Sequence, residues 1–195
     1  MPGYVKPPVN GRVSGTMEMI PSLATQTPLT IKGAVSQSAN LLNIQNSDGT
    51  VLTSLDTLGR ITSTNHPAFS IQQNGGSWVA PAVIVFSTTV NVNVGNHYST
   101  STGRFTAPVS GTYYFSCGFL SQGNSNVFDF RWRKNGSTLF GGAYSGDSVA
   151  SYKQGHGSCM IPLATNDYVE MIAYGATVYL HGDAPHNVYS GMLVG

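Results

Sequence analysis

The chain has 195 residues, with nine lysines and arginines against eight aspartates and glutamates and a net charge of +1. That balance excludes the basic footprint of a nucleic-acid binder or of a protein held to an anionic membrane. Charged residues make up 9%, against about 25% in an average soluble chain, so the surface repels neighbours weakly and suits coverage by partner chains.

Gly, Ser, Thr and Asn take the place of charge, a mix that favours short strands joined by tight turns. No apolar run is long enough to span a bilayer, so no membrane insertion is expected. No charged-then-apolar leader opens the chain, so it is expected to start near Met1 and to bypass the standard secretory route.

Residues 1–28 carry five prolines and no helical or alternating period. Proline fixes φ and removes a backbone donor, which predicts an extended arm, either disordered or laid across a partner. Val5, Val13, Met17, Met19 and Ile20 favour the second. Residues 29–65 change character. "LLNIQN" and "TVLTSLD" alternate apolar and polar positions around the turn signal Ser47-Asp48-Gly49, which predicts two or three short strands. So few strands cannot bury a core alone, and copies of the same unit are the simplest partner. The run from Gly33 to Ile61 resembles the short module that recurs in bacteriophage tail-fibre and appendage proteins. There it links a virion-attached end to a distal head.

From His66 to Gly195 the pattern is all-β, with strand candidates at 82–90, 104–107, 112–120, 127–134, 137–144, 157–164, 168–174 and 188–194. Phe128, Phe130 and Trp132 fall on one face, and Asp129, Arg131 and Arg133 on the other, with Asn135-Gly136 as a type I′ turn. About eight to ten strands in this length predicts a sandwich or jelly roll. Cys117 and Cys159 both lie in strand candidates. They are read as a buried free pair, or as one disulfide if their strands are neighbours.

The order Phe86, Asn93, Tyr98, Phe105, then Gly111-Thr-Tyr113-Tyr114-Phe115 resembles the C1q-domain signature. "RKNG" at 133–136, "IPLATNDYVEM" at 161–171 and "YSGMLVG" at 189–195 resemble its later turns and final strand. Two departures stand out: the interval from Phe86 to Asn93 is one residue longer than the family's, which a bulge would absorb, and Cys117 stands where the family has Phe or Tyr. The resemblance implies a C1q/TNF-like jelly-roll head, 66–195, that assembles as a homotrimer. Tyr98, Phe105, Tyr113, Tyr114 and Phe115 become its core and trimer residues. Strand alternation would put Tyr113, Phe115 and Cys117 inside the sandwich and leave Tyr114, Ser116 and Gly118 on the other face.

No Gly-x-Ser-x-Gly elbow, P-loop or His-Glu-x-x-His is present, and "GHGSC" at 155–159 has no orienting acid, so no enzyme is expected. "HGDAPH" at 181–186 reads as a tight loop. The resemblance alone offers a second reading, Asp183 as a Ca²⁺ ligand at the trimer apex, with His181 as the alternative occupant of that place. Arg131, Arg133 and Lys134 read as the solvated or interface face of a strand rather than as a nucleic-acid site.

The expected protein is a virion structural component, on a tail appendage or the capsid surface. Residues 1–28 would hold it to other virion proteins, and the head would bind a host-surface glycan or receptor. Loops 121–126, 145–156 and 175–187 would point away from the stalk, with Asn124, Asn126, Tyr152, His181, Asp183 and His186 as contact residues. Capsid decoration is the alternative, followed by a secreted C1q-like binding module.

Overall fold

The computed structural model describes residues 23, 25, 27–122, 128–145 and 152–195. Contacts divide the chain into two units, Met1–Thr62 and Ser63–Gly195. Of the expected arm 1–28, only Leu23, Thr25, Thr27 and Pro28 fall within the described residues.

The first unit forms a three-stranded sheet of β1 (Leu42–Gln45), β2 (Val51–Leu55) and β3 (Ile61–Ser63), in that order. Its two turns repeat one device. The Asp48 carboxylate accepts from the Thr50 N–H and hydroxyl, and Asp56 accepts from the Leu58 and Arg60 N–H groups. Such side-chain bonds hold the chain in a turn where no strand partner is available. The sheet leaves Leu42, Ile44 and Ile61 exposed, so it has no interior of its own.

The second unit contains β4 (Ala68–Gln72), β5 (Gly76–Trp78), β6 (Ala82–Val83), β7 (Thr89–Asn93), β8 (Tyr98–Ser99), β9 (Arg104–Thr106) and β10 (Gly111–Ser121). It continues with β11 (Phe128–Lys134), β12 (Thr138–Ser145), β13 (Lys153–Leu163), β14 (Tyr168–Ala176), β15 (Val178–Leu180) and β16 (Val188–Leu193). One sheet runs β5-β15-β10-β16-β4-β7, with β13 paired to β10; the other runs β12-β11-β14-β9-β8, with β6 on β14. The chain crosses between the sheets from β10 to β11, β12 to β13 and β13 to β14, the winding of a jelly roll.

Alternation decides the interior. Tyr113, Phe115, Cys117 and Phe119 of β10 face Phe128, Phe130 and Trp132 of β11, and all are buried. Tyr98, Phe105, Phe69 and Tyr189 join them through stacked and edge-on ring contacts, so four of the five proposed core and trimer residues belong to the interior. The fifth, Tyr114, lies half-buried on the opposite face of β10.

One expectation needs correction. Residues 82–90 are not one strand, because the chain changes sheets there: β6 pairs with β14 and β7 with β4. Between them the Ile84 N–H donates to the Met171 carbonyl, and the Tyr98 hydroxyl bridges both the N–H and the carbonyl of Phe86. The extra residue before Asn93 is a bulge: Ile71 pairs with Val90 and Ser70 with Val92, leaving Asn91 unmatched. The bulge brings Asn93 to its place, where its amide closes on the N–H and carbonyl of Tyr98.

The cysteine strands are neighbours, yet both thiols are free. Cys159 stands opposite Phe115, and Cys117 opposite Gly157. The pair is therefore diagonal, at the roughly 7–8 Å spacing of such neighbours, beyond the Cα separation of about 4.4–6.8 Å that a disulfide takes. Burial raises both thiols above their ordinary range, Cys159 to about 12.

Candidate functional site

The second unit has two ends, set by the register of β10. At its Gly111 end lie the chain entry at Pro67 and the C-terminus: Leu193 N–H donates to Pro67, and Thr112 N–H to Gly195. At the Ser121 end, Ser121 pairs with both Lys153 and Leu180. Eleven residues of β10 at about 3.3 Å each put roughly 36 Å between the two ends.

That pairing assembles the Ser121 end. β13 begins just after Tyr152, and β15 ends just before His181, so two segments distant in sequence meet beside one strand terminus. The Tyr152 and His181 rings meet edge to face at 5.2 Å, and His181 meets His186 in the same way at 5.2 Å. The Asp183 N–H donates to His181 Nδ1 at 3.1 Å, which places a lone pair on Nδ1 and the ring proton on Nε2. The Asp183 carboxylate lies 3.8 Å from His186 Nε2. Tyr152 is 63% exposed, and His186 and Asp183 are also open to solvent.

Asn187, which the sequence reading did not single out, fixes this loop. It is fully buried. Its amide donates to the carbonyls of Gln73, His181 and Asp183 and accepts from the Leu120 N–H. One side chain thereby ties three segments around the rings.

Four of the six proposed contact residues thus come together: Tyr152, His181, Asp183 and His186. Asn124 and Asn126 lie outside the described residues. The arrangement does not fit Ca²⁺, which takes about six to eight oxygen ligands. One carboxylate beside two imidazoles is nitrogen-rich, and the described residues contain no group of three metal-capable side chains placed to hold an ion.

The charged strand face is internally paired. Arg131 forks onto Asp129 of its own strand, Lys134 reaches Asp167, and Glu170 is fully buried between Arg104 and Arg133. Trp78 is half-buried against the core. His156 and Ser158 sit exposed on β13, opposite Gly118 and Ser116.

A C1q domain family model matches residues 68–194. Complement C1q tumor necrosis factor-related protein 3 of Mus musculus and of Homo sapiens are each 32% identical over 113 residues, covering 57% of this chain. The chain spans 44% of the length of each. Murine APRIL, in a crystal structure at pH 5.0, superposes with a TM-score of 0.54 at 8% identity, over 66% of this chain and 99% of that one. That likeness concerns the fold alone.

Proposed function

The chain belongs to the C1q domain family through residues 68–194, and on that premise we propose that it is a homotrimeric binding module that recognises its ligand through the Ser121 end of the head. The carrying observation is the polar ring cluster of Tyr152, His181, Asp183 and His186, built at the end opposite the chain's entry. Tyrosine and histidine offer rigid contact area with adaptable hydrogen bonding, which suits a glycan or a receptor protein, and the function is binding rather than turnover.

Two settings follow from separate observations. The C1q tumor necrosis factor-related relatives support a secreted C1q-like module. The β1–β3 sheet, within the run that resembles phage appendage modules, supports a virion component on a tail appendage or the capsid surface, anchored through residues 1–28. In both, the head binds and the N-terminal segment carries it.

The test is attachment of the labelled protein to cells of the source or its host. Replacing Tyr152, His181 and His186 together by alanine should abolish attachment and leave the melting temperature unchanged. Undiminished attachment by the triple variant would refute the Ser121 end as the contact surface. Antibody labelling of particles or of culture medium separates the two settings.

A further inference from the structure

A second surface, on β11 and β12, has the makings of a ligand site. β11 and β12 enclose a concavity of about 420 Å³ lined by Asp129, Arg131, Phe140, Gly142 and Tyr144, among others. Tyr144, directly opposite Asp129 in the strand register, is 69% exposed. The Arg131 guanidinium lies 3.8 Å from the Tyr174 ring centroid and forks onto Asp129, with Nε to Oδ1 and Nη2 to Oδ2 both at 3.2 Å.

The local backbone keeps this surface open. A Cβ at Gly142 would overlap the Phe130 carbonyl oxygen, and one at Gly175 would stand 2.8 Å from Asp129 Oδ2. Glycine at 142 thus lets the β11 and β12 backbones approach, and glycine at 175 leaves the Asp129 carboxylate its room. The Asp129 side chain is only 9% exposed, whereas that of Arg131 is 39% exposed. A buried carboxylate thus positions a partly exposed guanidinium held over an aromatic ring.

We propose that this concavity is a subsite for a neutral saccharide; the proposal rests on the reading of the head as a binding module and names a ligand class for a different patch of it. Each hydroxyl of a sugar both donates and accepts a hydrogen bond. Among the described residues the fork engages two N–H groups of Arg131 and one contact on each Asp129 oxygen, so it presents further donors and acceptors. A pair of vicinal hydroxyls matches that set. The Tyr144 ring supplies the flat apolar face on which the C–H side of a pyranose rests. An anionic ligand fits less well, because Asp129 already neutralises Arg131. A charged peptide would have to break the fork, at the cost of leaving a carboxylate buried without its partner.

The full-length protein is titrated with the methyl glycosides of glucose, galactose, mannose and N-acetylglucosamine, read by saturation-transfer NMR and calorimetry. The expected result is millimolar binding of at least one glycoside, weakened about tenfold or more by Tyr144→Ala. Tyr144 is exposed, so its variant should fold, and an unchanged near-ultraviolet dichroism spectrum checks this. Asp129→Asn should weaken binding as well, because an amide cannot hold the guanidinium in the same fork. Absence of binding by all four glycosides overturns the proposal. So does wild-type affinity in Tyr144→Ala. Loss of glycoside binding in Tyr152→Ala alone overturns the groove while leaving the Ser121 end standing as the recognition surface.

Discussion

Asp167 shows how a single side chain makes a turn depend on pH. It accepts from Lys134 Nζ, from the Asn135 amide and from the Ala164 N–H, joining the β11–β12 turn to the β13–β14 turn. Lys134 foremost, then Asn135 and Ala164, hold its carboxyl down to about 2, against an ordinary value of 3.8. A carboxyl lowered on folding contributes stability that is complete above its unfolded value and is lost as pH falls through its folded one. The contribution should therefore disappear between about pH 4 and pH 2. In Asp167→Asn, the melting temperature should be lower than wild type at pH 6, and the two curves should converge as pH approaches 2. Parallel curves across that window, followed by differential scanning calorimetry, would show that Asp167 contributes nothing through its charge. Asp167 was readable in the sequence only as part of a turn. Its three partners come from two separate connections, and no local spacing announces that they meet.

At the scale of elements, the loop between β15 and β16 depends on Asn187 more than on its own turn residues. Replacing Asn187 by alanine strands the Leu120 N–H and loosens the carbonyls of Gln73, His181 and Asp183. A buried polar group left unpartnered costs about 1–3 kcal/mol. A net loss of about 2 kcal/mol corresponds to roughly 4–8 °C in melting temperature for a chain of this size. Hydrogen exchange in Asn187→Ala should quicken at residues 181–187 and at Leu120 first, with the centre of β10 unaffected. Uniform quickening across both sheets would mean that the loop has no separate anchoring. Period-two alternation made β10 and β11 readable in advance, and the C1q-like order placed Phe86, Asn93, Tyr98 and Phe105 correctly around the core. The same rule fails on β14, where Val169 through Ala173 are all buried. Glu170 is covered there by Arg104 and Arg133, which lie 66 and 37 residues away. Tyr152 and His181 were proposed from separate loops. Their meeting follows from the double pairing of Ser121, a register that composition does not reveal.

At the scale of the whole molecule, the open face of the β10 sheet is what a lone chain leaves unsatisfied. Across β13, β10 and β16 the register sets Met160 beside Tyr114 and Tyr114 beside Met192. Met160 is 61% and Met192 48% exposed. The next row outward is Ser158, Ser116 and Ser190, followed by His156, Gly118 and Val188. No lysine, arginine or carboxylate appears in the three rows, so nothing repels a second copy. Burying such a row gains about 25 cal/mol for each Å² of apolar surface removed from water, and association of three chains through this face covers it three times at once. The exposed Leu42, Ile44 and Ile61 of the β1–β3 sheet make the same demand separately. Met160→Asp places a charge in every copy of the interface while leaving the sandwich interior untouched. Multi-angle light scattering should then show the mass moving from trimer towards monomer, and circular dichroism should retain the β spectrum. If the wild-type chain already runs at 20.6 kDa, or Met160→Asp stays trimeric, the β10 sheet is not the face that brings the three chains together.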